Sequence, residues 1–347
     1  MLTTPLCLAL GIEHPIISAA MGGTTVPRFT AAVSNAGGLG QVSLSGAGAD
    51  RARALIRAVR ELTDRPFAAN VIIDEYDGQE IEAALDEAVP VLFLFWGDPS
   101  PFVADAHRRG TKVVMQVGSV AEAVAAAEAD VDVIVAQGVE AGGHVRGTTP
   151  LFTLIPSVVE AVQPLPVVAA GGIVDGRGLA AALSLGAAGA LIGTRFLASE
   201  EADVHPEYRR RVLAAGGADD TVYSEDLFDV GWPNAPHRVL RNRLVAEWEA
   251  AGKPAPGARA DEEGVIGTRR MWDGSTSPVR MYASVTATSA FDVDPDRAAL
   301  WAGTSVGLVR EVKPAGEIVR ETAREAEEIL AGLAATAASA GMDAERP

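Results

Sequence analysis

Short apolar runs alternate with alanine-rich helical segments through the first 200 residues of the chain. The runs are apolar throughout rather than at every second position, which is typical of parallel strands covered on both faces. The pattern therefore predicts a strand at each run. The eight runs are PIISAA (15–20), LGQVSL (39–44), PFAANVII (66–73), PVLFLFWG (90–97), KVVMQVG (112–118), VDVIVAQG (131–138), PVVAAGG (166–172) and GALIGTRFLA (189–198).

The segments between these runs carry signals for the start and the end of helices. Ser119 precedes an alanine-rich stretch, and Glu122 three residues later completes a capping box. Asp50 is expected to cap the helix after the second strand, and Pro101 and Gly110 to begin and end the helix after the fourth. Strands and helices that alternate at this spacing along the sequence favour a parallel sheet with right-handed crossovers.

Eight such units in about 200 residues fit a (β/α)8 barrel. An open, doubly wound sheet is the alternative that the number of strands leaves open. After residue 200 the pattern changes, because 201–296 is polar and rich in turn residues and helical periodicity returns in 297–312 and 316–336. We predict a barrel built from 1–200 and 297–347, with an inserted cap over 201–296 after the eighth strand.

Composition and charge narrow the class of protein. Lys and Arg number 29 against 46 Asp and Glu, a net charge of −17, which disfavours binding to nucleic acid or to an anionic membrane surface. Cys7 is the only cysteine and no two histidines have metal-ligand spacing, so we expect neither a disulfide nor a metal site. The sequence has no apolar run that could span a bilayer and no signal-peptide pattern, which predicts a cytoplasmic protein.

Small and amide residues follow the predicted strands at their carboxyl ends, where a barrel carries its reactive face. Gly171 and Gly172 follow the seventh strand, and Gly193 and Thr194 lie in the eighth run. Their backbone N–H groups, with a helix beginning near Asp175, are expected to hold phosphate without a lysine, although ordinary turn glycines would give the same pattern. The other ends supply Ala20, Met21, Gly22, Asn70, Gln116, Gln137, Gly142 and Gly143.

His144 is the histidine best placed for catalysis. Gly142 and Gly143 let its loop fold tightly, so that the imidazole can project over the barrel mouth. A histidine there can move a proton at physiological pH, and the alternative is a surface histidine that only hydrogen-bonds its own loop. His205 and His237 each neighbour a proline in the cap and are weaker candidates.

Together these residues resemble the nitronate monooxygenase family. The matching segments are PIISAAMGG, AAVSNAGGLG, PFAANV, AQGVEAGGH, PVVAAGGI and ALIGTRF within about 10–200, and WAGTSVGLVREVKPAGEIV at 301–319. AQGVEAGGH is the most specific, because many FMN barrels share the glycine pattern at 171–194. The chain departs from the family in having Ala20 where a proline is common and Gln116 where a lysine is frequent.

The resemblance implies FMN as the cofactor. Matched residue by residue, Met21 and Gly22 would lie against the isoalloxazine ring, and Asn70, Gln116 and Gln137 would hydrogen-bond its polar edge. The residues that would surround the ribityl phosphate are Gly142, Gly143, Gly171, Gly172, Gly193 and Thr194. His144 matches the family's catalytic histidine, which removes the Cα proton of a nitroalkane or holds the nitronate. The flavin then accepts an electron, and O2 reacts to give a carbonyl compound and nitrite.

Two other functions stay open. The first is a flavin reductase that uses NAD(P)H to reduce enoyl or acyl thioesters or quinones, because such enzymes have similar motifs. The second belongs to a different functional class and is a non-catalytic protein that binds flavin or phosphate. The expected partners are a small-molecule substrate with O2 or NAD(P)H as the second substrate, and a homodimer stays open. In the cap, Trp232, Tyr223, Phe228 and Trp272 would either line an apolar pocket or form a small separate core.

Overall fold

The computed structural model describes residues 2–74 and 78–344, with a sheet of eight parallel strands at the centre. The strands are β1 (Ile16–Ser18), β2 (Gly40–Ser43), β3 (Phe67–Ile72), β4 (Val91–Phe95), β5 (Lys112–Val117), β6 (Val133–Gln137), β8 (Val167–Ala170) and β9 (Gly189–Ile192), with the two-residue β7 (Gly143–His144) in the loop after β6. Their spatial order is β1, β9, β8, β6, β5, β4, β3, β2. A parallel bridge from Ile17 to Leu39 joins the two ends of this order, so the sheet closes into the predicted barrel rather than an open sheet.

Helices surround the barrel and extend into the cap. They are α1 (Pro5–Leu10), α2 (Pro27–Asn35), α3 (Ala49–Arg60), α4 (Gln79–Asp86), α5 (Ser100–Arg108), α6 (Val120–Glu128), α7 (Leu151–Val162), α8 (Gly176–Ser184), α9 (Thr194–Leu197), α10 (Pro206–Ala214), α11 (Arg243–Ala250) and α12 (Ala315–Ala344). Helix α12 packs against α8 and α2, so it fills the position of the barrel helix that would follow β9. None of the helices within the described residues combines the length and the hydropathy needed to cross a membrane.

Two of the three expected helix starts agree with the structure. Ser119 caps α6 by accepting the N–H of Glu122, while the Glu122 carboxylate accepts the N–H of Gly118 rather than that of the cap itself. Pro101 lies in the first turn of α5, which ends before Gly110. The expectation for Asp50 is wrong by two residues: α3 begins after Gly48, and the Asp50 carboxylate lies in the first turn, where its charge favours the helix dipole.

The core forms two layers, one inside the barrel and one between the strands and the helices. Ile17 and Phe93 belong to the inner layer, whereas their chain neighbours Ile16 and Leu92 belong to the outer one. Both faces of each strand are thus buried, which explains why the runs are apolar at successive positions. Helix α1 adds Cys7, which is 4% exposed, to the inner layer.

The segment 201–296 is more regular than its turn-rich sequence indicates. Besides α10 and α11 it holds β10 (Thr221–Ser224), β11 (His237–Leu240), β12 (Val265–Arg270), β13 (Thr276–Arg280) and β14 (Phe291–Val293). Strand β11 pairs antiparallel with β10 on one side and with β7 of the barrel loop on the other. Strands β13, β12 and β14 form a second antiparallel sheet, and we call 265–293 the flap.

The helix expected within 297–312 is absent, and a single 3-10 turn over Thr304–Leu308 stands there instead. The preceding residues are extended, because Trp301 forms an antiparallel bridge with Val239 of β11 and the carbonyl of Leu300 accepts the N–H of Leu240. Pairing with the cap sheet therefore overrides the local helical pattern. The second expected helix, 316–336, is present as the longer α12.

Candidate active site

A cavity of about 670 Å³ lies at the carboxyl ends of the barrel strands, beneath the cap. This is the end at which (β/α)8 barrels carry their reactive groups. All the predicted site residues lie on its wall: Ala20, Met21, Gly22, Asn70, Gln116, Gln137, Gly142, Gly143, His144, Gly171, Gly172, Gly193 and Thr194. The ends of β1, β3, β5, β6, β8 and β9 thus meet at one space.

The loops after β8 and β9 form the part of the wall best suited to an anion. Gly171 and Gly172 have φ angles of 105° and 72°, in the region that a residue with a side chain rarely adopts. In the part of the chain that the structure describes, the N–H groups of Gly172, Gly193 and Thr194 have no hydrogen-bond partner. Backbone donors left free on one wall of a cavity fit the oxygens of a phosphate.

The amino end of α8 cannot contribute to that anion site as expected. The Asp175 carboxylate caps the helix by accepting the N–H groups of Arg177 and Gly178, at 3.1 and 3.2 Å. The carboxylate of Glu325 in α12 accepts the N–H of Gly176 at 2.7 Å. Two negative charges therefore occupy the positive end of the helix, and they would repel a phosphate there.

Gly142 is required by backbone packing. A Cβ at this position would lie 2.3 Å from the carbonyl carbon of Ala302 and from the nitrogen of Gly303. The N–H of Gly303 donates to the Thr194 hydroxyl at 3.0 Å, and Gly303 and Ser305 also line the cavity. The chain returning from the cap thus closes the cavity beside β9, a contact that no local sequence pattern indicated.

The three carboxamides on the wall have different surroundings. Gln137 donates to the carbonyl of His144 at 3.0 Å and accepts the N–H of Arg146 at 2.9 Å, so its side chain holds the loop that carries the histidine. Asn70 donates to the carbonyl of Phe93 at 3.4 Å, and its side-chain oxygen has no hydrogen-bond partner among the described residues. Gln116 is 8% exposed, and its side chain has no hydrogen-bond partner within the described residues. Gln116 is therefore the carboxamide most available to a ligand.

His144 projects into the cavity from β7, which is held in place by antiparallel pairing with β11. Its Nε2 lies 3.0 Å from the hydroxyl oxygen of Ser284. The ring of Trp232 lies tilted over the imidazole with a centroid distance of 3.8 Å, and the ring of Trp301 is 5.1 Å away. The histidine is thus fixed between a barrel loop and three residues from beyond residue 200.

Burial among these rings, and secondarily the neighbouring His237, lowers the pKa of His144 from 6.5 to about 3. The imidazole is therefore neutral at physiological pH. A neutral ring has one nitrogen that donates and one that accepts a hydrogen bond. It can accept a proton from a substrate, or hold a substrate oxygen by donating to it.

His237 is a neighbour of His144 that its sequence position did not single out. The two residues pair directly between β11 and β7, and their rings are 6.0 Å apart. The Nε2 of His237 accepts the N–H of Phe228 at 3.1 Å, so its Nδ1 carries the proton and donates to the carbonyl of Ala235 at 2.9 Å. Burial lowers its pKa, and this fully satisfied ring holds the cap in position rather than exchanging protons.

The four cap aromatics divide between the two expected roles. Trp232 and Trp272 line the cavity. Phe228 is fully buried in a separate apolar cluster with Trp248 and Tyr282, and Tyr223 does not line the cavity. The turn-rich sequence of 201–296 does not indicate where Trp232 lies, because its position over His144 depends on the pairing of β11 with β7.

Comparisons with known proteins agree with this geometry. The nitronate monooxygenase family model matches residues 4–88 and 74–325. A "Nitronate monooxygenase" of Pseudomonas aeruginosa is 32% identical over an alignment 370 positions long, which covers 91% of this chain and 97% of the relative. A Mycobacterium tuberculosis protein named (3aS,4S,5R,7aS)-5-hydroxy-7a-methyl-1-oxo-octahydro-1H-indene-4-carboxyl-CoA dehydrogenase is 38% identical over 255 residues, covering 73% of this chain and 70% of the relative.

The fold comparison extends over nearly the whole chain. The structure of FabK from Thermotoga maritima superposes with a TM-score of 0.82 at 32% identity, covering 97% of this chain and 100% of that chain. The architecture, the family model and the relatives therefore agree. The chain belongs to the nitronate monooxygenase family and is a flavin-dependent oxidoreductase.

Proposed function

We propose that this protein binds FMN and oxidises small alkyl nitronates with O2, giving a carbonyl compound and nitrite. The observation that carries the proposal is the neutral His144, held over the strand ends with its Nε2 next to Ser284. The nitronate monooxygenase family match supports the same chemistry.

The strand ends offer groups for each part of a flavin mononucleotide. The free N–H groups of Gly172, Gly193 and Thr194 would hold the phosphate. Gln116 would hydrogen-bond the polar edge of the ring system, and Met21 would lie against its face. A flavin bound there would supply the redox chemistry between the substrate and O2.

The low pKa of His144 favours one of the two roles that the resemblance implies. A base with a pKa of about 3 has little driving force to remove a proton from carbon. A nitronate is already ionised, so that it needs no base, and a neutral imidazole can donate a hydrogen bond to one of its oxygens. We therefore assign His144 to nitronate binding and Ser284 to holding the imidazole in orientation.

The aromatic cap residues set the size of substrate. Trp232 covers the imidazole at 3.8 Å, and Trp301 closes another side of the ring. These walls exclude water from the bond between His144 and the substrate, which strengthens that bond. They also favour a compact alkyl group next to the imidazole.

A second candidate is the oxidation or reduction of an acyl thioester with a nicotinamide cofactor. Two relatives favour it: the Mycobacterium tuberculosis protein named as a carboxyl-CoA dehydrogenase and a Rhodococcus jostii protein of the same name, which is 36% identical to this chain. In this alternative, His144 would donate its hydrogen bond to the thioester carbonyl.

Anaerobic flavin reduction separates the two candidates. The purified protein is first checked for FMN absorbance and then mixed, without O2, with propane nitronate, NADH, NADPH or an enoyl thioester. We expect reduction by the nitronate alone, followed by nitrite release when O2 is admitted. Rapid bleaching by NADH or NADPH with no response to nitronate would overturn the proposal in favour of the thioester enzyme, and a protein without affinity for FMN would defeat both.

A further inference from the structure

A tryptophan next to the site has an unusual backbone conformation. Trp96 directly follows β4 and has a φ of 58°, in the left-handed region that a bulky side chain rarely adopts. Such a conformation persists only where the surrounding structure holds it, and strained residues of this kind are concentrated at functional sites. The contacts of the Trp96 side chain should therefore indicate what it does.

The indole of Trp96 packs against both rings of the site that the cap and the barrel loop bring together. Its centroid lies 5.2 Å from that of Trp232, with the planes crossing at 64°, and 6.4 Å from that of His144 at 89°. Trp96 is 7% exposed, and it does not line the cavity, whereas Trp232 and His144 do. Trp96 therefore supports Trp232 from outside the cavity.

A guanidinium group holds the ring of Trp96 in turn. The Cζ of Arg146 lies 4.8 Å from the ring centroid of Trp96, and the Nε of Arg146 donates to a carboxylate oxygen of Glu122 at 2.7 Å. A cation over an indole is attracted by the charge distribution of the ring, and the ion pair keeps the guanidinium in that place. Since Arg146 follows His144 by two residues, the loop that carries the histidine also fixes Trp96.

Packing, rather than hydrogen bonding, determines where the indole of Trp232 lies. Its chain neighbours Gly231 and Pro233 are exposed, and its indole N–H has no hydrogen-bond partner within the described residues. The ring is tilted by 34° to the imidazole of His144. Neighbouring side chains move partly into the space that a smaller core residue leaves. A smaller ring at position 96 would thus let the indole of Trp232 move back from the imidazole.

We propose that Trp96 is a positioning residue, which fixes how far Trp232 extends over His144 and thereby limits the length of the alkyl group that the cavity accepts. Arg146 contributes by holding Trp96 in place. A longer alkyl chain would need the space next to the imidazole that the indole of Trp232 occupies.

This inference rests on the proposed function, because it names the residue that selects among alkyl nitronates by length. Its test uses ligands that do not react, so that binding and turnover are measured apart. Linear carboxylates from acetate to hexanoate are suitable, since a carboxylate has a planar anionic head with two oxygens, as a nitronate has.

The carboxylates are titrated into the flavin-loaded protein and its variants by calorimetry. W96F keeps an aromatic ring at the strained position and removes part of its volume, and R146Q removes the cation above that ring. W248F is the matched control, because Trp248 is 6% exposed, lies under the ammonium group of Lys253 at 5.5 Å and belongs to the separate apolar cluster of the cap.

The measured quantity is the Kd of hexanoate divided by the Kd of propionate. One methylene group that fits or fails to fit an apolar pocket changes discrimination by about 10- to 200-fold. We expect this ratio to be at least about tenfold lower in W96F than in the unaltered protein. It should fall by a smaller factor in R146Q and stay unchanged in W248F.

A double variant separates positioning from a general loosening of the fold. If Trp96 acts through Trp232, then W96F should change the ratio in the unaltered protein but not in a W232F background, so the two effects are not additive. Additive effects would overturn the inference. So would a ratio in W96F equal to that of W248F, or the absence of carboxylate binding by the unaltered protein at high millimolar concentration.

Two further results are assigned in advance. Should W96F fail to fold, R146Q decides, and an unchanged ratio in R146Q would overturn the inference. Turnover of propane nitronate by the unaltered protein is measured separately. Its absence would count against the proposed function while leaving the length dependence of carboxylate binding intact.

Discussion

The floor and the cap of the cavity are built from different chemistry. The floor, at the ends of the barrel strands, presents backbone N–H groups, glycines and carboxamides such as Gln116. The cap presents the hydroxyl of Ser284 and the indole rings of Trp232 and Trp272. Floor groups are held by the barrel sheet, whereas cap groups are held by small antiparallel sheets such as β7 with β11.

This division separates two tasks. A rigid set of backbone donors suits a cofactor, because its phosphate and ring edge are the same for every substrate. Side chains on an inserted segment can change without disturbing the barrel, so they are suited to selecting the substrate. His144 lies where the two meet, since its loop belongs to the barrel and its neighbours belong to the cap.

Removing His144 should have the largest effect, because both parts of the site converge on it. We expect His144→Ala to lower kcat/KM for propane nitronate by about 10- to 150-fold while FMN stays bound, because a hydrogen bond to a charged group is worth about 1.5–3 kcal/mol. The measurement is oxygen uptake together with the flavin absorbance of the purified variant. His107→Ala is the control, since His107 lies on α5 outside the cavity and pairs with Asp132. Loss of FMN from His144→Ala would place the histidine in the floor instead.

Replacing a glycine of the floor should weaken cofactor binding more than substrate binding. Gly171 has a φ of 105°, and a Cβ there would lie 3.0 Å from the nitrogen of Ala141. We expect Gly171→Ala to destabilise the fold by about 1–3 kcal/mol and to lower the FMN content of the purified protein. Gly252→Ala is the matched control, because this glycine has a φ of 82° but open space around it. Equal FMN content in the two variants would contradict the assignment of the floor to cofactor binding.

Acid should destabilise the junction between floor and cap. Burial lowers the pKa of His144 to about 3, while in the unfolded chain it is near 6.5. The stability contributed by the neutral ring is complete above pH 6.5 and declines as the pH falls toward 3, by up to about 1.4 kcal/mol per unit. Urea unfolding at pH 7.5 and 5.5 should therefore show a smaller loss for His144→Asn than for the unaltered protein. Identical losses would contradict the lowered pKa.

Removing the hydroxyl of Ser284 should have the smallest effect on activity. Removing its hydroxyl deletes a single hydrogen bond to Nε2, worth about 0.5–1.5 kcal/mol. We expect Ser284→Ala to lower kcat/KM for nitronate by up to about tenfold, with FMN binding unchanged. Ser184→Ala in α8 removes a hydroxyl that bonds only its own helix and serves as the control. A shift in the pH profile of kcat/KM for Ser284→Ala alone would identify the serine as a positioning residue.

The sequence was most informative where contacts are local or follow from the sheet. All eight barrel strands lie within predicted apolar runs, although the second half of the eighth run forms α9 instead of strand. The strand-end residues gather at one cavity because parallel strands present their carboxyl ends on the same side. Prediction failed where a partner distant in sequence decides the outcome. The sequence predicted that the amino end of α8 would be available to a phosphate, but the carboxylate of Glu325 in α12 accepts a hydrogen bond there. The extended chain before residue 304 depends on pairing with β11.

The sequence by itself determined the eight strand–helix units, the family resemblance and the placement of His144 after the sixth strand, because periodicity and short motifs encode them. The tertiary structure decided that the sheet closes into a barrel, since the bridge from Ile17 to Leu39 joins its two ends. Only the tertiary structure decided what surrounds that histidine. Ser284 and Trp232 are remote in sequence, and they reach His144 through the pairing of β7 with β11 and the packing of the cap. The neutral state of the imidazole follows from that burial.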